Sequence, residues 1–222
     1  MGIKENIAKI QENIKTACER CNRDVDSVTL MTVSKFRTVE EITEAYNCGM
    51  RHFGENRVQE ACEKFETLQL EGAELHLIGS LQRNKVKKIL PLVHCIQSVD
   101  RIELLQEIAK YPESKNVSLL FEVHTGEESK QGFTSIEELD AAIQFAIEND
   151  LHPAGFMTMA PFTTDKEIIR KSFRQLRNIA RDMQAKYDSV DLRELSMGMS
   201  NDYEIAIEEG STLVRIGTAL FK

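Results

Sequence analysis

No run of apolar residues in this 222-residue chain approaches the length of a membrane span. Residues 1–22 alternate polar and apolar at helical spacing with acids among them, so neither a signal nor a transit peptide is expected there. Basic charge is in deficit: 28 Lys and Arg stand against 36 Asp and Glu, for a formal net charge of −8. That balance argues against nucleic acid or an anionic membrane as the main partner. Cysteines are few, scattered and odd in number (Cys18, Cys21, Cys48, Cys62 and Cys95), which suits reduced thiols rather than a disulfide framework. Cys18 and Cys21 form a CxxC, but no second pair or suitably spaced histidine completes a metal site, so packing is the expectation. No long linker, solenoid-period repeat or low-complexity tract interrupts the chain. These absences predict a cytoplasmic protein, and a monomer is expected.

What is present is organised around Val28–Phe36, VTLMTVSKF. This β-branched run lacks the alternation of a half-exposed strand and reads as a strand covered on both faces, with Lys35 at its carboxyl end. In parallel α/β folds that end faces the ligand crevice. The alternative is a lysine that only snorkels out of a strand terminus. Ahead of it, residues 3–22 read as an amphipathic helix with Ile3, Ile7, Ile10 and Ile14 on one face. Behind it, Thr38 can cap a helix carrying Val39, Ile42 and Ala45 that ends near Gly49.

The same unit then recurs. Strand 51–54 precedes a helix through Leu68, strand 75–79 a helix over 83–90, and strand 93–99 a helix from Asp100. Strand 117–123 precedes a helix over 135–149, strand 154–159 a helix over 165–186, strand 192–197 a helix over 202–209, and strand 212–216 closes the series. Strict alternation requires a parallel sheet. Roughly eight such units predict an α/β fold, a TIM-type (β/α)8 barrel with an additional N-terminal helix, as a single domain over residues 1–222. A doubly wound open sheet is the alternative, weakened because no glycine-rich dinucleotide fingerprint follows the first strand.

The residues that follow the strands would line the barrel mouth, and small and polar types dominate there. The last two loops, Ser196-Met197-Gly198-Met199-Ser200 and Arg215-Ile216-Gly217-Thr218, stand where barrels often bind phosphate. Their glycines permit tight turns with exposed backbone N–H groups, and Ser200 and Thr218 add hydroxyls. The alternative is glycine as turn punctuation alone. A strand-end lysine facing an anion cradle suits a phosphate ligand that carries an aldehyde, and pyridoxal 5'-phosphate meets both requirements.

The segments VSKF, HFGENRVQE, LHLIGSLQRNK, QSVD, ESKQG, GFMTMAP and LSMGMSNDYEIAIEEGSTLVRIGTALF, in this order, closely resemble the pyridoxal phosphate homeostasis proteins, the YggS/PROSC-type family. That family is similar in fold to the N-terminal barrel of alanine racemase and holds the cofactor as a lysine Schiff base. The resemblance implies that Lys35 is this lysine and that Arg215 faces the pyridine nitrogen. It places Ser200, Gly217 and Thr218 at the phosphate, and Asn56 near the cofactor. On weaker grounds it also puts His76 and Met157 beside the pocket, with a core histidine as the alternative for His76. The chain departs from the family pattern at Glu122–Glu127, where a loop is one residue shorter and the usual asparagine is missing, which leaves the role of His124 open.

The resemblance implies an intracellular role in vitamin B6 homeostasis: the chain would buffer or deliver the cofactor to apo-enzymes that need it, without catalysis. Nothing after the eighth strand is expected to build the second domain that supplies a racemase's other base, and one acid/base group makes a poor catalyst of Cα-proton abstraction. The competing readings are a racemase-like enzyme of low activity and a barrel enzyme acting on a phosphorylated sugar. The basic cluster Arg83, Lys85, Lys87 and Lys88 reads as a solvated helix face, since no aromatics interleave it. Glu127 and Glu128 resemble an acid/base pair only by adjacency, and Met157, Met159, Met197 and Met199 either wall the pocket or fill the core.

Overall fold

A computed structural model describes residues 2–126 and 132–222. Eight parallel strands close into a barrel in sequence order: β1 (Thr29–Val33), β2 (His52–Glu55), β3 (Glu74–Leu77), β4 (Cys95–Val99), β5 (Ser118–Glu122), β6 (His152–Met157), β7 (Glu194–Met199) and β8 (Leu213–Ile216). The seam is the β1–β8 pairing, which joins Thr29 to Leu213 and Thr32 to Ile216. An extra helix, α1 (Ile3–Arg20), precedes the barrel. Helices α2 (Val39–Asn47), α3 (Val58–Phe65), α4 (Val86–Ile89), α5 (Ile102–Ile108), α6 (Ile136–Glu148), α7 (Lys166–Lys186) and α8 (Tyr203–Glu208) follow the first seven strands. This is the barrel with an N-terminal helix that the alternating pattern predicts, and the closing seam rules out the open sheet.

Local chemistry sets the helix starts. Thr38 accepts from Glu41 N while the Glu41 carboxylate accepts from Thr38 N, a capping box that satisfies two otherwise orphaned donors. Ser135 and Asp165 cap α6 and α7 in the simpler one-sided way. The apolar face expected of α1 is real: Ile7, Ile10 and Ile14 are buried and Ile3 is half-buried. Each fully buried aliphatic side chain there contributes roughly 1.5–3 kcal/mol. Polar ties add orientation to this helix. Asn13 Nδ2 donates to the Tyr203 hydroxyl at 2.9 Å, and Asn6 Nδ2 donates to Leu220 O and Lys222 O.

Strand ends differ from the sequence reading by one to three residues, and two of the shifts matter. First, β7 runs on to Met199, so Gly198 and Met199 belong to the strand rather than to a loop. The strand survives there because Gly198 takes φ +96° and the pairing register with β8 breaks between Ser196 and Met199. A bulge of this kind re-aims the strand end, and glycine is required: a Cβ at 198 would fall 2.6 Å from Ala206 Cβ and 2.9 Å from Tyr203 Cα.

Second, His76 does not lie beside the Lys35 cleft. It is the next-to-last residue of β3, with Nδ1 paired to Gln97 Nε2 at 3.1 Å, yet it lines a basin at the opposite, amino-terminal mouth. Side chains alternate inward and outward along β3, and the His76 ring turns toward Gln97 and the amino-terminal basin rather than toward the Lys35 cleft. Burial, ahead of the opposing Glu74 carboxylate, holds its pKa below the ordinary histidine value.

All five cysteines are free thiols; Cys18 is buried on α1 and Cys21 caps its end, as packing residues. Among the described residues no helix is long and apolar enough to cross a membrane. Glu127 and Glu128, and the ESKQG motif up to Gln131, lie outside the described residues. His124 N donates to Phe133 O at 3.0 Å, which brings the chain after the shortened loop back to the end of β5.

Candidate functional site

The carboxyl ends of the strands surround a cleft of about 310 Å³. Lys35, Asn56, Ser200, Arg215, Gly217 and Thr218 all line it, as does Met157. The six residues come from the ends of β1, β2, β7 and β8, and barrel closure brings them together across as many as 183 positions of sequence (Lys35 to Thr218).

Lys35 follows β1 at a sharp turn. Arg37 N donates to Ser34 O at 3.0 Å, and Phe36 takes φ +62°, a left-handed conformation uncommon for a bulky residue. Beneath the turn lies a polar support. Ser34 Oγ donates to Glu55 Oε1 at 2.8 Å, and Lys64 Nζ donates to Glu55 Oε1 at 2.9 Å and to Ser34 O at 3.0 Å. Glu55 is fully buried, and burial pushes its carboxyl above the usual range against the pull of Lys64 and Ser34. Lys64 thus serves as the structural cation of this corner, while Lys35 lines the cleft.

Arg215, the next-to-last residue of β8, is buried and held at two points: Nη1 donates to Ser196 Oγ at 2.7 Å and Nη2 to Thr158 O at 2.9 Å. Desolvation lowers its pKa to about 10 while Asp202 and Glu122 oppose that fall, so it remains a cation at neutral pH. The two turns expected to hold an anion are tied to each other. Met199 N donates to Asp202 Oδ1 at 2.6 Å, Ala219 N to Ser200 Oγ at 3.4 Å, and Leu220 N to Gly217 O at 3.0 Å. Gly217 packs straight onto β1, and a Cβ there would come within 3.2 Å of Val33 O.

Several contributors escape the sequence reading. Gln97, on β4, accepts from Ser196 Oγ at 2.7 Å, and Thr158 supplies the carbonyl for Arg215. Both lie in quoted motifs, QSVD and GFMTMAP, but the motifs give them no role, because each acts through a partner at least 57 residues away. Lys64 could have been suspected as a cation on the buried face of an amphipathic helix. The cleft rim is apolar: Phe36, Met159, Phe162 and Met199 line it while exposing 39% or more of their surface. The basic cluster from Arg83 to Lys88 does not line the cleft, and its side chains are exposed on α4 and the turn before it.

Residues 6–222 match the family described as alanine racemase, N-terminal domain. The chain is 42% identical over 224 residues to the pyridoxal phosphate homeostasis protein of Aquifex aeolicus, covering 100% of this chain and 98% of that one. It is 37% identical over 225 residues to the protein of the same name from Pseudomonas aeruginosa, with 99% and 94% covered. The solved structure of PipY from Synechococcus elongatus with PLP bound superposes at a TM-score of 0.85 with 33% identity, covering 99% of this chain and 100% of that one. Sequence identity of this extent, on a shared barrel whose strand ends converge as described, makes the chain a member of the pyridoxal phosphate homeostasis protein family, built on the alanine racemase N-terminal domain fold.

Proposed function

We propose that this chain binds pyridoxal 5'-phosphate in the β1–β8 cleft through Lys35, and that it stores or hands on the cofactor in cytoplasmic vitamin B6 homeostasis rather than catalysing with it. The observation that carries the reading is the convergence of the Lys35 amine and the Ser200, Gly217 and Thr218 turns on one cleft. The residues fit the group. An amine stands at one side, hydroxyls and turn N–H groups at another, with a buried guanidinium among them. The volume of about 310 Å³ is near the lower bound of small-ligand pockets, roughly 300 Å³. When bound, the cofactor supplies an aldehyde that condenses with a free amine with loss of water.

What the chain places around that cleft supports storage over turnover. Arg215 is positively charged and immobilised by Ser196 and Thr158, so it would hold a facing pyridine nitrogen unprotonated and weaken the ring as an electron sink. Among the described residues, the lining contains no histidine, tyrosine, cysteine or carboxylate to serve as a second proton-transfer group beside Lys35.

Titration of the purified protein with pyridoxal phosphate tests the reading. A visible absorbance band should appear and be lost in Lys35→Ala, and borohydride should leave a pyridoxyl adduct on the peptide that carries Lys35. A protein that shows neither band nor adduct sinks the proposal. Cα-deuterium exchange in a panel of amino acids, lost in Lys35→Ala, would instead establish the racemase alternative.

A further inference from the structure

At the other mouth of the barrel the first residues of the strands surround a separate basin of about 600 Å³, and four of the chain's five histidines line it. Three side chains there come together. His52 Nδ1 lies 3.3 Å from Glu74 Oε2, His76 Nε2 lies 3.6 Å from the same oxygen, and all three ligand atoms fall within 4.8 Å of one another. Neither ring nitrogen makes a hydrogen bond of acceptable geometry, although both atoms are buried. His76 is only 4% exposed, so an unpartnered nitrogen there is unusual. Buried polar atoms normally find a partner, and one left without invites a missing ion or water.

We propose that His52 Nδ1, Glu74 Oε2 and His76 Nε2 form a Zn2+ site at the amino-terminal mouth, at the opposite end of the barrel from the cofactor cleft. Two neutral imidazoles and one carboxylate are a usual zinc donor set that keeps a fourth position open for water. The spacing suits the ion: bonds of 2.0–2.2 Å in a tetrahedron separate the donors by about 3.4 Å, close to two of the three edges found here. The third edge is that between His52 and His76, and the half-exposed His52 ring can turn to close it. The Gln97 amide lies 3.1 Å from His76 Nδ1; zinc on Nε2 places the proton on Nδ1, so on metal binding the amide would turn its oxygen to the ring and its Nε2 to Ser196 Oγ, which then accepts from Gln97 instead of donating to it. Glu74 and His52 start adjacent strands, and barrel pairing sets His52 directly opposite Glu74, so the site is built into the register.

The test uses the untagged full chain, stripped with a chelator and titrated with Zn2+ against a chromophoric competitor, with Co2+ absorption reporting coordination number. One equivalent should bind, with His52→Ala and Glu74→Gln each weakening it at least tenfold and Lys35→Ala leaving it unchanged. Both ligand substitutions are at accessible positions, so folding is checked by an unaltered circular dichroism melt, and His76→Ala is not needed. Absence of stoichiometric Zn2+ binding overturns the assignment. So does binding that both substitutions leave intact, or binding that instead disappears in Cys21→Ser.

Discussion

Arg215 Nη1 donates to Ser196 Oγ at 2.7 Å, and Ser196 passes the contact on by donating to Gln97 Oε1 at 2.7 Å. The guanidinium at the cleft is therefore aimed by a hydroxyl that is itself fixed from the far wall of the barrel. A charged donor on a neutral acceptor is worth roughly 1.5–3 kcal/mol, and the loss falls on orientation as well as stability. Ser196→Ala should weaken pyridoxal phosphate affinity about tenfold and shift the visible band of the bound form while the band persists. An unchanged dissociation constant and spectrum would show that Arg215 needs no such support.

The Glu55 corner predicts a different signature. Glu55 is fully buried and Lys64 side chain only 14% exposed, so Lys64→Met should cost about 3–5 kcal/mol in urea unfolding at pH 8 by leaving a buried carboxylate without its cation. Because burial already raises the Glu55 pKa, the carboxyl escapes the penalty by taking a proton. The destabilisation should therefore shrink as pH falls. The double substitution Lys64→Met with Glu55→Gln should recover much of the loss, and strict additivity of the two would disprove the coupling.

Glu122 predicts a pH-dependent gain. Burial first, then Asp100, pushes its carboxyl up to about 7 from an ordinary 4.5, against the pull of Arg215. An acid whose folded pKa is raised leaves stability untouched below its unfolded pKa and reduces it as pH climbs from about 4.5 to 7, after which the cost is constant. At 1.36 kcal/mol per pH unit the cost reaches about 3 kcal/mol, an upper bound. Glu122→Gln should accordingly raise the ligand-free protein's stability by about 1–3 kcal/mol at pH 8.5 and by far less at pH 5. Equal shifts in melting midpoint at the two pH values would contradict this account.

Gly198 carries the bulge that ends β7. A Gly198→Ala change meets Ala206 Cβ and backbone of α8 as well as an unfavourable φ of +96°. It should destabilise by about 2–4 kcal/mol and loosen cofactor binding together, since the same bulge presents Ser200. Retention of full affinity in a folded Gly198→Ala protein would separate the bulge from the anion cradle.

Much of this molecule is legible in one dimension. Strand and helix order followed from runs of β-branched residues alternating with amphipathic segments, because those periods depend only on neighbours in the chain. Lys35 at the end of the first run, and glycines and hydroxyls after the last two, were visible as residue types suited to an aldehyde and a phosphate. Strand limits were less so, since the bulge at Gly198 depends on how α8 packs over it.

By itself the sequence determined the eight-unit alternation, the helix cap at Thr38, and the residue types, a strand-end lysine and turns of glycine and hydroxyl side chains, on which the proposed site rests. Only closure of the barrel decided what those residues meet. It joins β1 to β8, brings Lys35 and Arg215 to the lining of one cleft, threads Ser196 to Gln97 across 99 positions, and assigns His76 to the mouth away from the cleft. Pairings of that range are fixed by strand register and by which side of each strand turns inward, and no local period in the chain encodes either.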